Sequence, residues 1–311
     1  MENKILGIHH ITAIAGNAKH NLDFYTKVLG LRFVKKTVNF DDPFTYHFYF
    51  GDKVGSAGTI LTFFPWQGVR PGKVGRGMAT EISYSVPEGS FDFWMKRFQT
   101  YKVPYAKPSE KFGEPSLAFI DPDGLKLEMV VAKTPDTRVS WETEGVTKDV
   151  ATKGFHNITL TLAQIKPTAD ILTGIFGYKQ TGQEGNIYRF STDAVENAAI
   201  VDLIELPGQS AETGGIGTIH HVAFRVKDDI AQMKFRQLIL SEGFDITAQI
   251  DRNYFHSLYF REPGGVLFEI ATDNPGFTVD EPLKDLGKNL MLPVQHEPRR
   301  SSIEKHLPAL D

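Results

Sequence analysis

The sequence predicts an α+β fold of four βαβββ modules, with a metal centre held in a cup of curved sheet. Three observations carry this prediction. An order of strand, helix and three further strands begins anew near residues 7, 79, 155 and 219. The first and fourth runs open on nearly the same segment, Gly7-Ile8-His9-His10-Ile11-Thr12 and Thr218-Ile219-His220-His221-Val222-Ala223. The second and fourth close alike: Asp121-Pro122-Asp123-Gly124-Leu125-Lys126-Leu127-Glu128 and Glu262-Pro263-Gly264-Gly265-Val266-Leu267-Phe268-Glu269 share one Pro-to-Glu spacing.

The first module starts with an alternating strand at 7–15, followed by a helix with Asn17 as N-cap and Leu22, Tyr25 and Leu29 at helical spacing. Gly30 ends that helix, Leu31-Arg32-Phe33-Val34 resumes extended structure, and strands at 46–50 and 59–64 complete the unit. The second module has a strand at 81–86, a helix capped by Ser90 and carrying Phe91, Trp94 and Phe98, and strands at 117–120 and 125–131. In the third, which starts at Phe155, the helix ends at Gly177 before Tyr178-Lys179-Gln180. The helix of the fourth begins at Asp228 or Asp229 and ends at Gly243, with Phe244-Asp245-Ile246 extended after it. A glycine closing three of four helices fits a left-handed residue just past the last turn. The chain is expected to divide into an N-terminal pair of modules at 1–132, a polar linker at 133–153, a C-terminal pair at 154–273 and an extension at 274–311. The charged end of that extension, 297–305, reads as a partly ordered flap or solvated tail.

With 311 residues, 41% of them hydrophobic and 23% charged, the chain has the composition of a globular protein with a sizeable core. A net charge of -4 gives no electrostatic reason to expect nucleic acid or an anionic membrane as partner. The absence of cysteine excludes disulfides, thiolate ligands and cysteine nucleophiles. Met1-Glu2-Asn3-Lys4-Ile5-Leu6-Gly7 lacks the apolar core of a signal peptide and no apolar run is long enough for a bilayer, so a cytoplasmic location is expected.

Strand alternation decides which histidine of each pair faces the cup. His220 shares parity with Val222, Phe224 and Val226, the apolar face that packs under the helix, and His221 takes the mixed, open face. On the same register His10 and His221 correspond to Glu81 and Asn157, and Glu269 corresponds to Thr62, Glu128 and Asp202. Modules one and four thus offer His10, His221 and Glu269 as metal ligands, with Thr62 unable to add a fourth. Two imidazoles and a carboxylate leave coordination positions open and suit non-haem Fe(II) oxygen chemistry, but also Zn(II), Mn(II) and Ni(II). Modules two and three lack imidazole at these positions and read as a polar remnant. His9 and His220 lie on the apolar parity, where they could hydrogen-bond behind the ligands. His47, His156 and His256 read as structural histidines. Tyr259 should point into the cup, Thr12 shares a face with His10, and Arg252 is a cation that could meet an anionic oxygen.

The four-module pattern resembles the vicinal oxygen chelate superfamily, which contains glyoxalases, bleomycin-resistance proteins and type I ring-cleaving dioxygenases. More narrowly, Leu6-Gly7-Ile8-His9-His10-Ile11-Thr12, Gly30-Leu31-Arg32-Phe33-Val34-Lys35-Lys36-Thr37, Ile219-His220-His221-Val222-Ala223-Phe224 and Pro263-Gly264-Gly265-Val266-Leu267-Phe268-Glu269 are similar to bacterial hydroquinone ring-cleaving dioxygenases. The resemblance implies Fe(II) (Fe2+) at His10, His221 and Glu269, with Tyr259 and Arg252 lining the substrate site. It also implies that His9 and His220 lie close to the metal, which conflicts with strict alternation unless the strands are bulged at their starts. The function it implies is Fe(II)-dependent cleavage of hydroquinone-type or catechol-type aromatic diols with O2. The partners would then be a small aromatic substrate and O2, and a homo-oligomer is left open. The alternatives are a glyoxalase-like metal-dependent isomerase or lyase, which usually needs the carboxylate that Thr62 replaces, and a module that only binds aromatic compounds.

Overall fold

A computed structural model of the chain describes residues 4–310. Asp311 and the first three residues, part of the N-terminal stretch read above for a targeting signal, lie outside the described residues. Module one comprises β1 (Ile8–Ala15), α1 (Ala18–Asp23), β2 (Arg32–Val38), β3 (Tyr46–Gly51) and β4 (Ile60–Pro65). Module two follows with β5 (Met78–Ser85), α2 (Phe91–Tyr101), β6 (Ser109–Lys111), β7 (Glu114–Ile120) and β8 (Lys126–Val130). Module three contains β9 (Gly154–Leu162), α3 (Lys166–Asp170), β10 (Lys179–Glu184), β11 (Ile187–Ser191) and β12 (Ile200–Glu205). Module four contains β13 (Ile219–Val226), α4 (Asp229–Ser241), β14 (Ile250–Asp251), β15 (Phe255–Arg261) and β16 (Leu267–Pro275).

Two curled eight-stranded sheets result, ordered β14-β15-β16-β13-β1-β4-β3-β2 and β10-β11-β12-β9-β5-β8-β7-β6. One sheet joins modules one and four through the antiparallel pair β1–β13, and the other joins modules two and three through β5–β9. Inside each module the first strand runs parallel to the last, β1 beside β4 and β13 beside β16. The stripes Val222, Phe224, Val226 and Ile158, Leu160, Leu162 are almost fully buried, as alternation requires. Phe224 of the first stripe meets Phe176, at the end of the helical segment of module three, at 4.8 Å between ring centroids, and in module one Phe63 of β4 meets Tyr25 at 4.6 Å. Each large side chain so buried contributes about 1.5–3 kcal/mol.

The local signals at α1 and α4 act as read. The Asn17 side chain accepts from the His20 N–H and the Asp228 side chain from the Ala231 N–H, which gives each helix its N-cap. Gly30, Gly177 and Gly243 take positive φ. Four expectations need correcting. Ser90 stands at the N-cap of α2, but its side chain makes no capping hydrogen bond. The helices of modules one and three turn into π-helical segments, Phe24–Val28 and Ile171–Ile175, before their glycines. Residues 244–249 form no strand, and module four pairs its outer edge only at Ile250–Asp251. The extension is not a solvated tail. Its α5 helix (Arg300–His306) buries Ile303, while Leu286 and Leu292 insert upstream.

What ties the extension down is Lys35 on β2. Its ammonium, with the side chain fully buried, reaches Asp280 Oδ1 at 2.6 Å and Glu281 Oε2 at 2.7 Å. Glu281 in turn accepts from the Gly287 and Asn289 backbone N–H groups. Removing one partner of a buried ion pair leaves the other charge uncompensated. Lys35→Met is therefore expected to destabilise the fold by about 3–5 kcal/mol in urea unfolding. Adding Glu281→Gln should recover part of that loss.

Candidate metal centre

Where β1, β13 and β16 lie side by side, His10, His221 and Glu269 each turn one ligand atom to a common point, and these atoms lie within 4.8 Å of one another. His10 Nε2 is 3.2 Å and His221 Nε2 2.9 Å from the same carboxylate atom, Glu269 Oε2. All three side chains are buried, Glu269 completely. Ser257 donates to the other carboxylate oxygen, Oε1, which fixes the group's rotation. Among the described residues His221 Nε2 and Glu269 Oε2 are buried and face only each other and His10 Nε2, with no well-aligned hydrogen bond. Buried polar atoms so poorly satisfied are costly, and here they converge. A divalent cation with nitrogen and oxygen ligands fits that point. Burial pushes the Glu269 carboxyl up, but the His10 and His221 imidazoles outweigh it and hold it well below the usual carboxylate range.

The histidine pairs sit at two β-bulges. Ile8 pairs with Phe224 and His10 with Ala223, so His9 is an extra residue on β1. Thr12 pairs with His221 and Ala13 with Ile219, so His220 is an extra residue on β13. A bulge re-aims its side chains, and the alternation expected for His9 and His220 fails at these two residues. His9 Nδ1 lies 2.9 Å from His10 Nδ1, and His220 Nδ1 lies 2.7 Å from His221 Nδ1. For Nε2 to offer its lone pair to a cation, each ligand ring must carry its proton on Nδ1 and donate it to the neighbour. That neighbour must be neutral. Burial, then the charge of His10, lowers the His9 pKa, and burial brings His220 to about 3.

The centre opens on a cavity of about 340 Å³ that is walled by Phe40, Phe64, Trp66, Phe255 and Leu267 and reached by Thr12, His47, Tyr49, His220, Arg252 and Tyr259. Phe64 and Trp66 stack at 5.4 Å. Tyr259 is the cross-strand partner of Glu269, and its ring stands edge-on to His221 at 5.7 Å. Burial and the Glu269 charge raise its pKa, so the phenol keeps its proton. The Arg252 guanidinium lies 5.5 Å from the Tyr259 ring centre and 3.7 Å from the Asp41 carboxylate.

Sequence reasoning missed His47. It lines the cavity, is clamped between Tyr49 and Phe64, and bonds Tyr49 and Thr62. The missed signal was its shared parity with Tyr49 on the strand next to Thr62. His156 and His256 stay outside this centre, bonded to Glu114 and Asp229. In the second sheet the corresponding positions are filled from within. Lys111 Nζ lies 2.7 Å from Glu81 and 2.9 Å from Glu128, and Arg189 grips both oxygens of Asp202 at 2.9 Å. Cationic side chains there take up the carboxylates that an ion would otherwise need.

A family model described as the Glyoxalase/Bleomycin resistance protein/Dioxygenase superfamily matches residues 7–270. The Bacillus subtilis (strain 168) protein named "Putative ring-cleaving dioxygenase MhqO" is 48% identical over 307 residues, covering 99% of this chain and 97% of that protein. The chlorohydroquinone/hydroquinone 1,2-dioxygenase of Sphingobium indicum is 34% identical over 305 residues, covering 96% and 94%. A crystal structure of a Bacillus subtilis protein described as a "putative dioxygenase" superposes with a TM-score of 0.94 at 48% identity, covering 99% of this chain and 98% of that one.

Proposed function

The chain belongs to the glyoxalase/bleomycin resistance protein/dioxygenase superfamily, and within it we propose a ring-cleaving dioxygenase that uses Fe(II) and O2 to open hydroquinone-type aromatic diols. The observation that carries this reading is the convergence of three buried ligand atoms, two imidazole nitrogens and one carboxylate oxygen, beside an aromatic cavity. His10, His221 and Glu269 would hold the metal and leave the cavity side open. Bound there, Fe(II) supplies the electronic link through which ring electrons reach dioxygen. The rest is done by the chain. Phe64, Trp66 and Phe255 exclude water and fix the plane of the ring, within a volume typical of small-molecule sites, about 300–1,000 Å³. Arg252 attracts the anionic oxygen of an ionised diol, and Tyr259 offers a proton from its hydroxyl. His9 and His220 keep the ligand rings in the metal-binding tautomer.

A catechol can chelate through two adjacent oxygens, whereas a para-diol binds through one and leaves the ring to be oriented by protein groups. The Tyr259–Arg252 wall suits the second case. Thr62, bonded to Thr12 and His47, is committed elsewhere and offers no fourth ligand, which disfavours the isomerase reading. Oxygen uptake by anaerobically reconstituted protein, with a panel of hydroquinones and catechols, tests the proposal. Activity should follow Fe(II), with para-diols preferred. Turnover of a methylglyoxal–thiol adduct without oxygen consumption, or activity restored by Zn(II) but not Fe(II), would overturn it.

A further inference from the structure

We propose that Thr12, Thr62, His47 and Tyr49 form a proton relay that starts at Thr12, beside the metal ligand His221, and ends at Tyr49 elsewhere on the cavity lining; this rests on the function proposed above. Three contacts make the chain: Thr12 Oγ1 to Thr62 Oγ1, Thr62 Oγ1 to His47 Nε2, and His47 Nδ1 to the Tyr49 hydroxyl, each 2.9 Å. Thr12, His47 and Tyr49 line the cavity, whereas Thr62 is the buried link between them.

Every member can both donate and accept. Four protons are available for three links, so one end hydroxyl always donates outward. If it is Thr12, Tyr49 donates to Nδ1, Nε2–H donates to Thr62, and Thr62 donates to Thr12. If it is Tyr49, every bond is reversed and the proton of His47 sits on Nδ1. Passage between the two arrangements carries one proton from end to end without moving a heavy atom. Clamped by Tyr49 at 4.1 Å and Phe64 at 4.4 Å, the His47 ring relays by changing tautomer rather than by rotating. Burial above all keeps it neutral. Thr12, Thr62 and Tyr49 are at most 1% exposed and His47 9%, so the chain meets water only where it lines the cavity.

Position 62 sharpens the assignment. Its equivalents in the other modules are Glu128, Asp202 and Glu269. An ionised carboxylate accepts only, so it would end a relay. Threonine lets the proton through. When the diol binds, its O–H bond breaks and a Thr12 Oγ–H bond forms. Thr12 then passes a proton to Thr62, and Tyr49 releases one to a water at the cavity wall. Ring cleavage adds both oxygen atoms of O2 and no hydrogen, so that proton returns along the same path to the product, and no further oxidant or reductant is needed.

Two measurements test the relay. The first uses protein loaded with Zn(II), which does not reduce O2, and follows the ring nitrogens of ¹⁵N-labelled His47 by NMR while hydroquinone is added. A tautomer switch is expected in the wild type and in Thr62→Ser, and none in Thr62→Val. An unchanged His47 tautomer in the wild type overturns the proposal. The second uses the Fe(II) enzyme. Thr62→Val should lower kcat about tenfold at unchanged KM, less than the about 10²–10⁴-fold expected of a group that touches the reacting atoms. Its rate in H2O/D2O mixtures should change from a curved to a linear dependence on deuterium content, and Thr62→Ser should restore both. Unchanged kcat and curvature in Thr62→Val also overturn the relay. If the wild type consumes no oxygen with any diol, the proposed function fails, and the NMR measurement alone decides the relay.

Discussion

Protein carrying Glu269→Gln is expected to leave anaerobic reconstitution without bound iron, to consume no oxygen, and to keep its fold. Two imidazoles and a neutral amide cannot replace two imidazoles and a carboxylate. Even loss of an outer hydrogen-bonding partner costs about 10–100-fold in metal affinity, so loss of the one anionic ligand should exceed 100-fold. His10→Ala and His221→Ala should behave alike. Stability separates this outcome from simple misfolding. In metal-free protein Glu269 is a fully buried carboxylate that faces the His10 and His221 imidazoles. Replacing it by an amide removes the cost of desolvating a charge together with the imidazole attraction that outweighs it. Metal-free Glu269→Gln should therefore still unfold cooperatively, at a Tm no higher than that of the wild type. Metal should then raise the wild-type Tm, worth about 2.7 kcal/mol at a hundred times Kd, and leave the variant's unchanged. Iron analysis beside thermal unfolding, with and without metal, decides it. A variant that binds iron with wild-type affinity would remove Glu269 from the ligand set.

Tyr259→Phe is expected to do the opposite: full iron content with kcat and kcat/KM falling together by about 10²–10⁴-fold. The substitution keeps the ring that faces His221 and the β-strand pairing with Glu269. It removes only a hydroxyl that burial and the Glu269 charge keep protonated. A group that acts mainly in the transition state lowers both constants equally, whereas one that only binds substrate raises KM. Oxygen uptake on hydroquinone, with iron measured on the same samples, distinguishes the two. Wild-type activity in the variant would take Tyr259 out of the mechanism.

Modules and ligand candidates could be read from the sequence because each rests on a local, repeated signal. The stripe Val222-x-Phe224-x-Val226 and its counterpart Ile158-x-Leu160-x-Leu162 fix the register, and register carries His10, His221 and Glu269 to equivalent places. What could not be read depends on partners far along the chain. The placement of His9 follows from a bulge that exists only against β13, more than two hundred residues away in sequence. His47 has no counterpart among the paired histidines, and its role appears only once Thr62 and Tyr49 lie beside it. The extension looked solvated because its charges are obvious and its anchors, Leu286, Leu292 and Ile303, are scattered. The lysine that fixes it lies on β2.

The nesting of modules two and three inside the pairing of one and four bears on biosynthesis. As the chain leaves the ribosome from its N-terminus, the inner sheet has all its strands once Glu205 has emerged, while β1 to β4 still lack half their sheet. The proposed metal centre would draw His10 from the first strand and Glu269 from the last, so its ligand set is complete only when translation of the modules is nearly finished. Contacts of such long range make for slow assembly and leave strand edges unpaired meanwhile. Any nascent chain arrested between Glu205 and β16 would carry a completed inner sheet and no enzyme.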